Sequence, residues 1–231
     1  MSENNTKNSF GATNWNIETS NGYKPNQNNK DLYLRLEQGS NLVRLVTKPY
    51  EYLVHQNWKI NPTDAGYGHR VMSSLFYDGK DILKEKYNST PKRRWLVGVI
   101  CRKTQSYKLL DISKSVFEGI RECVRTEEYG DPLNYDLDIK VDKQGGPASY
   151  YRVLPKPPKP LSPADLEIKQ NVDLDDLKRR VTPPLPEVME SRVAAIIAKS
   201  GGIAPAVKTT VVTTQSSNDE DDNFDFPVVN G

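Results

Sequence analysis

The chain has 231 residues, with 32 Lys+Arg against 30 Asp+Glu and a formal net charge of +2. Only 36% of residues are hydrophobic and the mean hydropathy is −0.69, which allows one ordinary domain with polar extensions and excludes two full cores. No run approaches the roughly 18–20 apolar residues of a membrane helix, so no membrane partner is expected.

The balanced charge hides an asymmetry. Asp219, Glu220, Asp221, Asp222 and Asp225 form an acidic end without a base, leaving 32 Lys+Arg against 25 acids elsewhere. Between Lys80 and Lys108, nine cations face only Asp81 and Glu85. A basic body with an acidic tail points to a polyanion partner.

In chain order, residues 1–30 contain nine Asn and almost nothing apolar. Such a segment cannot offset its ordering entropy, so disorder is expected and a secretory signal is not. Two cysteines, Cys101 and Cys123, cannot staple a fold of this length, and a reducing, intracellular compartment is expected.

Leu32, Leu34 and Leu36 alternate with polar neighbours, and Gln38-Gly39-Ser40 turns into Asn41–Val46, which predicts a hairpin. Tyr50–Trp58 is a third strand. Residues 61–91 form an inserted, loop-like region, basic toward its end. Trp95–Cys101 is a nearly continuous apolar strand, and Tyr107–Ile112 follows. The period then becomes helical through Val116, Phe117, Ile120, Cys123 and Val124, with Ser113 or Ser115 as N-cap and Glu118 completing a capping box after Ser115.

Leu137, Ile139 and Val141 alternate again, and Lys143–Gly146 turns into Ser149–Leu154. Five prolines between Leu154 and Pro163 mark a stiff exit. Met189, Val193, Ile196 and Ile197 share one face of a helix over Glu187–Lys199. The expected fold is mainly β: a five-stranded OB-fold barrel with a basic insertion, one helix between strands and disordered tails. The domain spans 31–155, a Pro-rich linker with a short helix 156–208, and the acidic tail 209–231.

Single-strand binders interleave cations for phosphates with flat rings for bases. Lys86, Tyr87, Lys92, Arg93, Arg94 and Trp95 do so within ten residues, and Arg102, Lys103, Tyr107 and Lys108 follow a strand later. Tyr33, Tyr50, Tyr52, Trp58 and Lys59 would line the opposite wall. For each ring taken alone, burial in the core is the competing reading.

In the tail, Phe224, Phe226 and Pro227 sit among the acids, which solubility alone does not require. Such a tail would dock on basic partner pockets or compete for the chain's own groove.

Catalytic signatures are lacking. Neither a P-loop nor G-x-G-x-x-G is written in the chain. Asp136 and Asp138 share a strand face, as a metal-dependent nuclease would want, but alternation with Leu137 and Ile139 favours the wet side of a half-buried strand. His55, His69, Cys101 and Cys123 lack zinc-ligand spacing. A binding protein without cofactor or metal is therefore expected, rather than an enzyme, and an RNA-binding regulator is the alternative.

The order of these stretches resembles the T-even bacteriophage single-stranded DNA-binding (helix-destabilising) protein family. The resemblance rests on Leu34–Leu36 through Asn41–Leu45, on Lys92–Trp95 leading into the WLVGVIC strand, on the Ser115–Val124 helix, and on Tyr135–Leu154 before the prolines. It covers about residues 30–165. It implies an OB fold binding single-stranded DNA without sequence preference during phage replication, recombination and repair, in the host cytoplasm. It also implies an acidic tail recruiting replication or recombination proteins, and self-association on DNA. Known members hold zinc through one His and three Cys in the insertion. This chain has His69 there but no cysteine between Asn61 and Pro91, so zinc is not implied. The basic N-terminal patch is matched only by Lys7, Lys24 and Lys30.

Overall fold

The computed structural model describes residues 31–61, 63, 67–77, 79–144 and 150–200. The expected disordered N-terminal segment and the acidic tail lie outside them. Seven strands form one antiparallel sheet: β1 (Gly39–Leu45), β2 (Tyr50–Trp58), β3 (His69–Met72), β4 (Lys92–Cys101), β5 (Ser106–Ile112), β6 (Asp136–Val141) and β7 (Tyr151–Pro155). The order is β3-β2-β4-β1-β6-β7, with β5 on the other edge of β4. Strand β4 is the organiser, because its start pairs with β2 and its end with β1.

The mainly β expectation stands at this coarse level; the closed five-stranded barrel does not. No ladder joins β7 to β5 among the described residues. The edge of β5 is taken instead by the chain before β1: Tyr33 bridges Leu109 in parallel, and Leu34 N–H donates to Leu109 O at 2.8 Å. This also corrects the predicted first hairpin. Leu34 and Leu36 still pack against the core, so their alternation reported burial truly and the pairing partner falsely.

Helix α2 (Lys114–Arg125) closes one end of the sheet. Ser113 is its N-cap, accepting from Val116 N–H, and Glu118 pairs with Arg121 at 3.0 Å instead of completing a box. The helix approaches β7 closely because Gly119 has no side chain: a Cβ there would lie 2.8 Å from Val153 Cγ2. Val43, Leu45, Trp95, Val97, Val99, Ile112, Leu137 and Ile139 meet Val116 and Ile120 in the main core.

The insertion, expected as a loop, contains β3 and the short helix α1 (Ile82–Tyr87). Three more helices follow the prolines: α3 (Pro163–Gln170), α4 (Leu174–Val181) and α5 (Pro186–Lys199). Met189 and Val193 of α5 are buried with Trp58, Val71 and Leu83, so α5 packs onto the insertion. Leu177 and Val181 of α4 pack onto the sheet. No helix among the described residues is long and apolar enough to cross a membrane.

Asp81 ties the insertion together. It caps α1 by accepting from Leu83 and Lys84 N–H, and it also bonds to His55 Nε2 at 3.0 Å and to the Ser73 hydroxyl. Burial pushes its carboxyl up, but these hydrogen bonds outweigh burial and hold it below the usual carboxylate range. The folded chain then binds fewer protons than the unfolded chain, so this stabilisation is complete above about pH 5 and disappears as pH falls through the depressed folded value. The urea midpoint should therefore drop more steeply below about pH 4 in the wild type than in Asp81→Asn, which lacks that proton linkage.

Candidate nucleic-acid interface

Alternation along β2, β4 and β5 sends one set of side chains to the core and the other to the opposite face. The registers Tyr50↔Leu96, Tyr52↔Arg94 and Leu96↔Asp111 assemble that outer face. It carries Tyr50, Tyr52 and Val54 from β2, Arg94 and Leu96 from β4, and Tyr107, Leu109 and Asp111 from β5. Tyr33 and Leu32 border it.

Two cations meet on this face at one acid. Arg94 Nε donates to Asp111 Oδ1 at 3.1 Å, and Arg70 Nη2 donates to Asp111 Oδ2 at 2.8 Å. Arg70 also donates to the Tyr52 hydroxyl and lies 5.7 Å from that ring's centroid. Burial, then the Asp111 charge, pushes the Tyr52 hydroxyl far up, so it remains a neutral phenol.

Tyr107 is the half-buried ring of this face. It lies across Gly98, where a Cβ would fall 2.8 Å from Tyr107 Cε2. Its hydroxyl is pushed up to about 12, first by burial and then by the nearby Asp176 carboxylate. Beside it opens a cleft of about 470 Å³, walled by Ala164, Glu167, Ile168 and Asn171 of the α3 segment.

Lys92 and Arg93 are exposed at the start of β4, opposite Val54 and Leu53 and next to the Tyr52↔Arg94 pair. Arg93 meets Glu51 at 3.1 Å on the surface. Such an exposed pair contributes little to stability. Lys86 is exposed on the preceding helix, and Tyr87 sits edge-on to Trp58 with centroids 5.4 Å apart.

The remaining predicted residues go elsewhere. Trp95 faces the core at 5% exposure, stacked on Phe117 with centroids 3.9 Å apart and an interplanar angle of 1°. The WLVGVIC strand needed a large apolar residue there, and the base-stacking role predicted for Trp95 is not available to a sealed ring. Tyr52 and Trp58 are likewise buried.

Arg102 is a structural tie: it donates to Asp136 at 2.9 Å and to Asp165 at 2.7 Å, joining the β4–β5 turn to β6 and α3. Lys103 pairs with Glu37 at 2.7 Å on the surface. Lys108 reaches the carbonyl of Asp31, and Lys59 is half-buried beside Trp58 in the chain.

The carboxylates weighed for metal chemistry are also engaged. Asp136 accepts from Arg44 and Arg102, while Asp138 accepts from Ser40 and Lys156. Burial pushes the Asp138 carboxyl up, yet the bonds from Ser40 and Lys156 prevail and hold it below the usual range. His55 spends its nitrogens on Ser89 and Asp81. Among the described residues no group of three or more His, Cys, Asp or Glu gathers as a metal would need.

Sequence patterns did not single out Arg70, Asp111 or the α4 cover. The signal for α4 was present in Leu174-Asp175-Asp176-Leu177-Lys178-Arg179-Arg180-Val181, where Leu177 and Val181 stand four apart after the Asp173 cap. The class defined by this geometry is a mainly β antiparallel sheet with a helix-capped aromatic and basic outer face. No protein-family model, curated protein or solved structure matches the chain.

Proposed function

We propose that the chain binds single-stranded DNA without sequence preference, protecting and organising it in phage replication, recombination and repair. The observation that carries this reading is the position of exposed Lys92, in register with Val54 on the sheet face that also holds Arg94, Tyr50, Tyr52 and Tyr107. Cations beside rings on one face are what an unpaired strand requires.

The topology supports the same reading. The β1–β4, β4–β5, β1–β6 and β6–β7 pairings, with a helix between β5 and β6, suit an OB-type Greek-key sheet left open at one seam. In such folds oligonucleotides lie on the face of the second and third strands, here β4 and β5. The likeness to the phage family rests on the sequence stretches between Leu34 and Leu154. The acidic tail, with Asp219, Glu220, Asp221, Asp222, Phe224, Asp225 and Phe226, would recruit replication or recombination proteins or compete with the strand.

The test is titration of the full chain with oligo-dT and oligo-dA at several salt concentrations. Binding should weaken with log salt at a slope near −3 to −4, as expected when about four to six phosphates are neutralised. Lys92→Ala should bind both oligomers roughly threefold more weakly and reduce the slope by about 0.7. Unchanged affinity and slope in this variant would remove the proposed face. Arg94 and Arg102 are left intact because their ion pairs hold the fold.

A further inference from the structure

On the reading of the chain as a single-strand binder, we propose that unpaired bases lie on the outer face of β2, β4 and β5. Helix α4 is the intramolecular cover that occupies this face until a strand displaces it. The cover is held by two side chains: Leu177 is fully buried and Val181 is 6% exposed, both against Tyr50, Tyr52, Leu96 and Leu109. Such a face is flat, aromatic and aliphatic, which suits the π-face of any base.

The helix offers the face the apolar contact that stacked bases would offer. Its underside is apolar, and the acids of its first turn are taken by its own bases: Asp175 pairs with Lys178 at 3.4 Å, and Asp176 with Arg179 at 2.9 Å and Arg180 at 2.6 Å. The Asp176 and Asp173 carboxylates reach the environment of the Tyr107 hydroxyl, where both disfavour its ionisation. The sheet beneath gathers Arg70 and Arg94 at the single carboxylate of Asp111, so an anion laid across it meets two guanidiniums. Bases can therefore take over the role of the aliphatics, while phosphates reach the two guanidiniums once the helix has left.

The mounting of α4 suits release. Helix α3 is anchored by the 2.7 Å Arg102–Asp165 ion pair. Helix α5 is anchored by Met189 and Val193, 0% and 1% exposed. Between these fixed points α4 has only eight residues and is followed by Thr182, Pro183 and Pro184. A helix this short is unstable by itself in water, so α4 unwinds once it leaves the sheet. Its two flanking helices can stay in place while it does.

Amide hydrogen exchange of the full-length chain, with and without oligo-dT, reads this directly. A peptide covering residues 172–183 should exchange about tenfold faster when the oligomer is bound, while one covering 186–199 should not change. A 172–183 peptide that is unchanged or better protected in the complex overturns the cover. As a second measurement, Leu177→Ala/Val181→Ala should bind oligo-dT about tenfold more tightly with the same salt slope, because a larger fraction is open before binding. Weaker binding by this variant makes α4 a fixed wall of the site and also overturns the proposal. Binding by neither form at low salt ends both this inference and the single-strand reading, whereas binding with α4 still protected ends the inference alone.

Discussion

Trp95→Ala should lower the free energy of unfolding by about 3–5 kcal/mol, the range for removing a large aromatic side chain from a packed core. The indole lies in the main core between the sheet and α2, against Val97, Ile112 and Val116. It also stacks face to face on Phe117, and that aromatic pairing disappears together with the buried area. Neighbouring side chains are held by the β2, β4 and β5 ladders and can collapse only partly into the gap. The measurement is urea unfolding followed by circular dichroism, compared with Trp95→Phe, which should recover much of the stability. Were Trp95 a base-stacking residue, the pattern would invert: stability near wild type and a clear loss of oligonucleotide binding. An unfolding midpoint unchanged by Trp95→Ala would contradict the buried position.

Asp136→Ala should cost a similar amount, about 3–5 kcal/mol, for an electrostatic reason. Asp136 Oδ1 accepts from Arg44 Nε at 2.6 Å and from Arg102 Nη2 at 2.9 Å. The Arg44 side chain is 1% exposed, and its Nη1 donates to the Lys159 carbonyl at 3.0 Å, a partner without a full charge. Removing the carboxylate leaves a guanidinium out of water without its counter-charge. That penalty, not the intrinsic worth of the pair, sets the size of the effect. Asp136→Ala/Arg44→Met should recover part of the stability, since the orphaned charge goes as well. A nuclease that used Asp136 would show the opposite pattern, with a stable fold and lost cleavage. Thermal melting of both variants separates the two.

These two residues show how differently the chain's parts could be read. Trp95 opens a run of apolar residues, so a buried strand was legible, but its basic neighbours made the ring look like part of the groove. Strand alternation turns Arg94 and Trp95 to opposite faces, and only the register tells which face meets the core. Arg94 and Arg102 resemble phosphate ligands in sequence because their partners, Asp111 and Asp136, lie 17 and 34 residues away. Composition reports a cation and does not report its counter-charge. Even exposed Arg93 has one, Glu51 on the neighbouring strand.

Local features were legible from the chain of residues alone. Period-two alternation placed β2 and β6, a nearly continuous apolar run placed β4 with β5 after it, helical spacing after a Ser113 or Ser115 cap placed α2, and the apolar stripe through Met189 and Val193 placed α5. Each of these depends on which side chains avoid water within a few residues of one another, and that is written locally. The long-range pairings were settled only in three dimensions. There the edge of β5 went to Tyr33, the sheet stayed open at its seam, Trp95 was enclosed, Arg102 joined Asp136 and Asp165, and α4 came to lie over the aromatic face. Strand edges, apolar faces and buried charges accept many partners of the same chemical type. The choice among them is made by the packing of the whole chain, where the best simultaneous fit wins over each local preference.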